Sequence, residues 1–113
     1  MAQMIEHKQG TTYNGRTFNF LLNSVPLDLT DTDIIITFSY NCSRIENKAK
    51  TGTKTHILTI GNGVSDVVAL NGEFVMLKDT LIDWALGIWD YEVKFVFPDS
   101  SVKIWYSDTL WIQ

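Results

Sequence analysis

Apolar and polar side chains alternate with a period of two residues through most of this chain. That is the period of an extended strand with one buried face. In residues 33–40, for example, Ile34, Ile36, Phe38 and Tyr40 share one face. The same alternation is present in RTFNFLL, where it places Phe18, Phe20 and Leu22 on one face, and in THILTI, GEFVML, IWDYEVKFVF, VKIWY and TLWIQ. The chain is therefore predicted to be all-β.

Turn-forming residues separate these runs. Asn14-Gly15, Gly61-Asn62-Gly63 and Asn71-Gly72 supply residues that accept a positive φ. Roughly seven short strands in a chain of this length favour an immunoglobulin-like antiparallel β-sandwich. A small β-barrel is the main alternative. We predict one such domain over residues 13–113, preceded by a flexible N-terminal arm over residues 1–12.

Two segments depart from the alternation. Residues 41–54 are polar and show no clean period, so they predict a loop. Residues 77–87 predict a helical turn that is capped by Asp79 or Thr80 and ended by Gly87.

Residues 95–106, FVFPDSSVKIWY, predict a β-hairpin around a Pro-Asp-Ser-Ser turn. A four-residue connection would produce three apolar cross-strand pairs: Phe97 with Val102, Phe95 with Ile104, and Val93 with Tyr106. The same register places Trp105 on the otherwise polar face, opposite Lys94. A tryptophan in that position either shields the sheet or contacts a partner or ligand.

Charge and composition argue against several kinds of function. The chain has 9 Lys and Arg against 13 Asp and Glu, a net charge of −4, and its basic residues are scattered apart from Arg44, Lys48, Lys50 and Lys54 in one polar stretch. Nucleic-acid binding relies on a basic surface, so it is not expected. The sequence lacks an apolar run long enough for a membrane-spanning helix, and its first residues do not resemble a signal peptide. Cys42 has no second cysteine to pair with and is predicted to be a free or partly buried thiol.

Few residues suggest catalysis or metal binding. His7 and His56 each stand without a nucleophile or acid at a characteristic spacing. Asp28, Asp31 and Asp33 cluster at a turn but lack the glycine and closing glutamate of an EF-hand, so we interpret them as capping the turn. We therefore predict that the protein is not an enzyme and has no catalytic residues, cofactor or metal site.

The last third of the chain is rich in tryptophan. Trp89 is in phase with the predicted core, and Trp84 lies in a connection where it would close one end of the sandwich. The two remaining tryptophans are out of phase with the core. With two nearby lysines they make the candidate interaction surface: Trp105, Trp111, Lys94 and Lys103. A sugar-binding platform would use the same aromatic side chains, so the pattern leaves both interpretations open.

Four segments, spread along the chain from about Thr17 to Ile112, carry a family resemblance: TFNFLLNSVPLDLTDTDIIITF, LTIGNGVS, NGEFVM and GIWDYEVKFVFPDSSVKIWYSDTLWI. They are similar to the immunoglobulin-like N-terminal domain of phage baseplate upper proteins. That family shows Pro-Leu-Asp-Leu-Thr-Gly, Leu-Ser-x-Gly, Gly-x-Phe, Gly-x-Tyr-x-Tyr-Asp and Phe-Pro-Asp-Gly in this order. Here Asp31 and Ser100 replace two of the glycines, and Trp89-Asp90-Tyr91 replaces the Tyr-x-Tyr-Asp arrangement.

The resemblance implies a non-catalytic structural or assembly protein of a phage or prophage tail or baseplate. Such a protein acts as an adaptor through protein–protein contacts with other tail or baseplate proteins, or with further copies of itself. It would lie in the virion after synthesis in the bacterial host cytoplasm, with no membrane insertion. A carbohydrate-binding module that recognises a bacterial surface glycan is the alternative that the tryptophans leave open.

Overall fold

The computed structural model describes residues 5–40 and 55–113, which form an almost entirely β structure. The strands are β1 (Ile5–His7), β2 (Thr11–Tyr13), β3 (Arg16–Asn19), β4 (Leu21–Leu22), β5 (Val25–Pro26), β6 (Asp33–Tyr40), β7 (Thr55–Ile60), β8 (Gly63–Val68), β9 (Glu73–Met76), β10 (Thr80–Ile82), β11 (Gly87–Val96) and β12 (Val102–Ile112). A turn of 3-10 helix, Ala69–Asn71, follows β8. The predicted all-β class is confirmed.

Eight of these strands form one curled, mixed sheet in the order β1-β12-β11-β6-β7-β8-β9-β3. The strands β2 and β10 pair separately, and so do β4 and β5. Two pairings in the large sheet are parallel, β1 with β12 and β7 with β8. The predicted arrangement of roughly seven antiparallel strands differs from this sheet. The difference arises because β1 runs alongside the last strand, and because the chain passes from β7 to β8 through a tight corner rather than a hairpin.

That corner is made by Gly61-Asn62-Gly63. The Asn62 N–H donates to the Thr59 carbonyl at 2.8 Å. Gly63 has a φ of 97°, and a Cβ there would approach the Leu58 side chain to 2.7 Å. Both the backbone angle and the lack of space favour glycine at this position. The corner lets the part of the sheet formed by β8, β9 and β3 curl away from the direction of β7.

Aromatic rings from the two ends of the curled sheet meet in its interior. The ring of Phe18 on β3 lies 5.5 Å from that of Tyr106 on β12, and the ring of Phe74 on β9 lies 6.2 Å from that of Phe95 on β11. Alternate residues of β6 and β11 are buried between them, as predicted: Ile34, Ile36, Phe38, Tyr40, Trp89, Tyr91, Val93 and Phe95. Burying one such side chain contributes about 1.5–3 kcal/mol, so this interior is the main source of stability.

Some local predictions were wrong. Thr80–Ile82 is strand β10, paired antiparallel with β2, where a helical turn was predicted. Its β-branched ends favour an extended backbone over a helix. Leu22 was predicted to share the core face of Phe18, but it is exposed because β3 ends at Asn19 and a separate two-stranded hairpin follows.

The segment predicted as an arm, residues 1–12, contains strand β1 and the first two residues of β2. Ile5–His7 pairs with residues 110–112 of β12, and Thr11–Tyr13 begins beyond a short connection. The predicted loop over residues 41–54, with Cys42, lies outside the described residues. Within the described parts of the chain, helical structure of the length and apolar character needed to cross a membrane is not found.

Candidate functional site

The β11–β12 hairpin contains a β-bulge that changes which side chains face outward. Val93 pairs with Tyr106, as predicted, but Lys94 then pairs with Ile104, so Trp105 is an extra residue in β12. Beyond the bulge Phe95 pairs with Lys103. The predicted pairing of Phe95 with Ile104 was therefore wrong. A bulge of this kind re-aims the side chains on one strand while the rest of the ladder continues.

The turn at the end of the hairpin explains the shift in register. The Phe97 N–H donates to the Ser101 carbonyl at 2.9 Å, and Ser100 takes a φ of 71°. The Asp99 carboxylate accepts hydrogen bonds from the Ser101 N–H at 2.9 Å and hydroxyl at 2.6 Å. These bonds lower the pKa of Asp99 because they stabilise the ionised carboxylate, which accepts them. A turn closed in this way pairs Val96 with Val102, one residue away from the predicted register.

Trp105 points into the fold as a result. Its ring lies 5.9 Å from that of Phe95 and 6.2 Å from that of Phe97, and it is partly buried against the core. The prediction that it occupies the polar face was wrong. Val102 and Ile104, predicted to be core residues, instead point outward, and each is 57% exposed.

The bulge therefore creates an apolar area on the outer face of the sheet. Ile104, Lys94 and Ile35 are neighbours in one row across β12, β11 and β6. The next row holds Val102, Val96 and Asp33. We call these six residues the outer patch. Four of the six are β-branched apolar residues: Val102 and Ile104 are exposed, and Ile35 and Val96 are partly buried beside them. Exposed apolar side chains that lie together are characteristic of contact surfaces.

The structure separates the four residues of the predicted interaction surface. Lys94 lies in the outer patch, and Trp111 lies on the same face at the other end of the hairpin, beside Ile88. Lys103 pairs with Phe95 and, like Trp105, lies on the inner side of the hairpin end. Of these four residues, only Lys94 belongs to the outer patch. Sequence reasoning missed Val102, Ile104, Ile35 and Val96.

A second group of polar residues joins β3 to the hairpin inside the fold. The Arg16 guanidinium donates to the hydroxyl of Tyr106 at 2.9 Å and to that of Tyr91 at 3.3 Å, and lies 3.5 Å from the Asp108 carboxylate. The Tyr106 hydroxyl donates to the same carboxylate at 2.8 Å. The guanidinium also stands 4.9 Å from the centre of the Phe18 ring. Arg16 thereby holds β3 against β11 and β12.

The electrostatics of this network favour a fixed, charged arginine. Burial opposes the charge of Arg16, but Tyr91, Tyr106 and Asp108 outweigh it and raise the pKa of the guanidinium. Burial raises the pKa of the Tyr91 hydroxyl, and Arg16 only partly offsets this rise. Within the described part of the chain, each buried side-chain nitrogen and oxygen has a hydrogen-bond partner. A network with its hydrogen bonds satisfied positions strands, and we assign it that role.

An aromatic cluster closes one end of the curled sheet. The His56 imidazole stacks on the Trp84 indole with ring centres 4.1 Å apart and planes at 9°. Trp84 also contacts Phe38 at 4.9 Å and Trp89 at 5.2 Å. The Trp89 indole N–H donates to the Ala85 carbonyl at 3.0 Å. Burial among these rings lowers the pKa of His56, which favours its neutral form.

The acidic cluster around Asp28 is a capped turn. The Asp28 carboxylate accepts hydrogen bonds from the Thr30 N–H at 2.9 Å and from the Thr30 hydroxyl at 2.5 Å. This confirms the turn-capping interpretation for Asp28. In the described ranges, groups of three His, Cys, Asp or Glu side chains placed to share a metal ion are not found.

A comparison of the sequence with protein-family models and with curated proteins found no match in either.

Proposed function

We propose that this protein is a non-catalytic structural or assembly protein of a phage or prophage tail or baseplate. It acts as an adaptor through protein–protein contacts and resides in the virion. The proposal combines the family resemblance with the outer patch, which presents apolar side chains to solvent beside a lysine. The immunoglobulin-like sandwich is the finer fold assignment that accompanies this function, and the curled sheet with its two facing ends is compatible with it.

The single observation that carries the adaptor function is the exposure of Val102 and Ile104. Burying two such side chains in a regular hairpin would stabilise the monomer by about 1.5–3 kcal/mol each. The bulge turns them toward solvent and places Trp105 against the core in their stead. Bulges that re-aim side chains are functional features rather than defects. A protein partner that covers the patch recovers the lost burial.

Purified particles of the phage or prophage that encodes this chain provide the test. We expect mass spectrometry to find the chain in the particles. Replacing the chain with an Ile104→Asp variant should reduce its incorporation by roughly tenfold or more, because a charge at the centre of a contact is strongly unfavourable. Leu70→Asp is the matched control, since Leu70 is 71% exposed on the 3-10 helix and outside the patch.

Both variants must melt cooperatively near the wild-type temperature for this comparison to report on assembly. Particles that lack the wild-type chain would overturn the virion assignment. Equal incorporation of the Ile104→Asp and wild-type chains would remove the outer patch from the adaptor function.

One observation favours the glycan-binding alternative. The Trp111 indole is 40% exposed on the outer face, where a sugar ring is able to stack on it. Titration with a purified host surface glycan, read through tryptophan fluorescence, tests this. The alternative requires a saturable change that disappears in Trp111→Ala, and a flat titration of the wild-type chain contradicts it.

A further inference from the structure

We propose that the outer patch binds the same patch on a second copy of this chain, across a twofold axis that passes over Phe95. The inference rests on the function proposed above, because it names the protein that covers the patch. In this arrangement the adaptor enters the particle as a dimer.

The edge of the sheet at β12 is poorly suited to binding a second copy through strand addition. Among the described residues, β1 pairs with β12 only at residues 110–112, which leaves the rest of β12 as an edge. The bulge at Trp105 interrupts the ladder there, and Lys103 points to the inner side of the hairpin end. A bulge and an inward-pointing lysine are the usual devices that prevent strand addition at an edge. The exposed face next to this edge carries no such protection.

The apolar residues of the patch are complementary to themselves. A twofold axis parallel to the sheet and perpendicular to β11 places two copies face to face with their strands antiparallel. If the axis passes over Phe95, it exchanges the row of Ile104 with the row of Val102. Ile104 of each copy then lies over Val102 of the other, so that the four side chains bury one another. Two sheets packed face to face stand about 10 Å apart, which these side chains fill.

The charges of the patch are complementary under the same rotation. Lys94 lies in the row of Ile104, and Asp33 lies in the row of Val102. The axis therefore sets Lys94 of each copy over Val96 of the other, with Asp33 in the same row on the adjacent strand, about 4.8 Å to the side and within reach of the lysine side chain. In the described part of the chain, neither residue has an ion-pair partner within 4.0 Å. A lysine buried in a contact requires such a partner, and the rotation supplies one twice.

The overall charge of the chain makes this pairing selective. Each copy carries a net charge of −4, so two copies repel when they meet at most of their surfaces. The outer patch is locally neutral because Lys94 offsets Asp33. Two copies therefore meet there without the repulsion present elsewhere.

Sedimentation velocity on the full chain tests the inference. Between about 1 and 100 µM, the wild-type chain should pass from monomer to dimer, as expected for a micromolar Kd. Lys94→Glu and Asp33→Lys each place like charges in contact, so each should weaken dimerisation by about 100-fold. The double variant K94E/D33K restores the opposite charges and should restore most of the affinity. Lys103→Glu makes the same charge change on the inner side of the hairpin end and should leave dimerisation unchanged.

Three results would overturn the inference: a wild-type chain that stays monomeric at about 100 µM, a dimer that Lys94→Glu does not weaken, or a double variant without recovery. Circular dichroism of each variant establishes that the fold is retained. Failure here is distinct from failure of the proposed function. A monomeric chain found in particles leaves the adaptor function in place, whereas a dimer that is absent from particles removes the virion role alone.

Discussion

The two halves of the β11–β12 hairpin follow different rules although they are one continuous pair of strands. In the half formed by residues 87–93 and 106–112, which we call the near half, alternate side chains are buried and Val93 pairs with Tyr106, as predicted. The other half reaches the turn and is formed by residues 94–96 and 102–105, which we call the turn half. Here one extra residue in β12 moves Val102 and Ile104 outward and Trp105 inward. The near half builds the core, and the turn half exposes an apolar surface.

The difference shows how a single inserted residue turns side chains that would face the core toward solvent. Because side chains alternate along a strand, one extra residue exchanges the two faces of everything beyond it. β11 keeps its alternation through the bulge, so Phe95 stays fully buried while the opposing strand reverses its faces. The contrast between Phe95 and Ile104, which the sequence pairs and the structure separates, is therefore the most direct test of this account.

The largest expected effect is the difference in stability between two single variants, Phe95→Ala and Ile104→Ala. Phe95 is fully buried, so its truncation should lower the free energy of unfolding by about 3–5 kcal/mol. Ile104→Ala should change it by less than about 0.5 kcal/mol, because the side chain faces solvent. Urea unfolding at low protein concentration, where a dimer is dissociated, measures both. Equal losses from the two variants would mean that the turn half has the predicted register and no bulge.

The next effect concerns the polar network of the near half. Asp108→Asn removes the charge that faces Arg16, so we expect a loss of about 1–3 kcal/mol in the free energy of unfolding. The matched control is Asp66→Asn, which breaks the ion pair with Lys78 at 2.7 Å on the surface. An exposed pair of this kind is screened by water and should give no measurable change. A loss for Asp66→Asn as large as that for Asp108→Asn would contradict the role assigned to the network.

An effect of comparable size separates the two tryptophans that the sequence grouped together. Trp105→Ala removes ring contacts with Phe95 and Phe97, so it should destabilise the fold by roughly 1–3 kcal/mol. Trp111→Ala should cost less than about 1 kcal/mol, since much of its ring faces solvent. Thermal unfolding of the two variants gives the order directly. The reverse order would place Trp105 on the outer face, as the sequence suggested.

The sequence predicts the near half and the adjoining strand β6 well because their signals agree. The alternation of β6 and β11 is long, and one phase of it is almost entirely apolar, so the buried faces of Ile36 and Val93 follow from period alone. The turn half was mispredicted because Val102 and Ile104 are in phase with Tyr106, which conceals the bulge. The sequence feature that argues against that register is the adjacent aromatic pair Trp105-Tyr106. Neighbouring residues of a regular strand point to opposite faces, so both rings face inward only if a bulge lies between them.

The mixed topology could not be predicted for a related reason. Parallel pairing of β1 with β12 joins the two ends of the chain, and no local pattern reports a contact over that separation. The Arg16 network is hidden in the same way. An arginine in a short strand, such as Arg16, is ordinarily predicted to face solvent. Only the curl of the sheet brings it to Asp108.

The smallest expected effect is the pH dependence of stability that comes from His56 on β7, whose ring lies 5.1 Å from that of Trp89 in the near half. Burial lowers the pKa of His56 in the folded state, so the unfolded chain binds the proton more readily in mild acid. Its contribution to stability is therefore present above the unfolded-state pKa of about 6.5 and is lost as the pH falls. Urea midpoints of the wild-type chain and of His56→Phe, taken between about pH 7.5 and 5, isolate this contribution. The phenyl ring keeps an aromatic stack on Trp84 but binds no proton, so the wild-type midpoint should fall more steeply. Parallel midpoints for the two proteins would mean that His56 is solvated in the folded state and that the aromatic cluster does not close the end of the sheet.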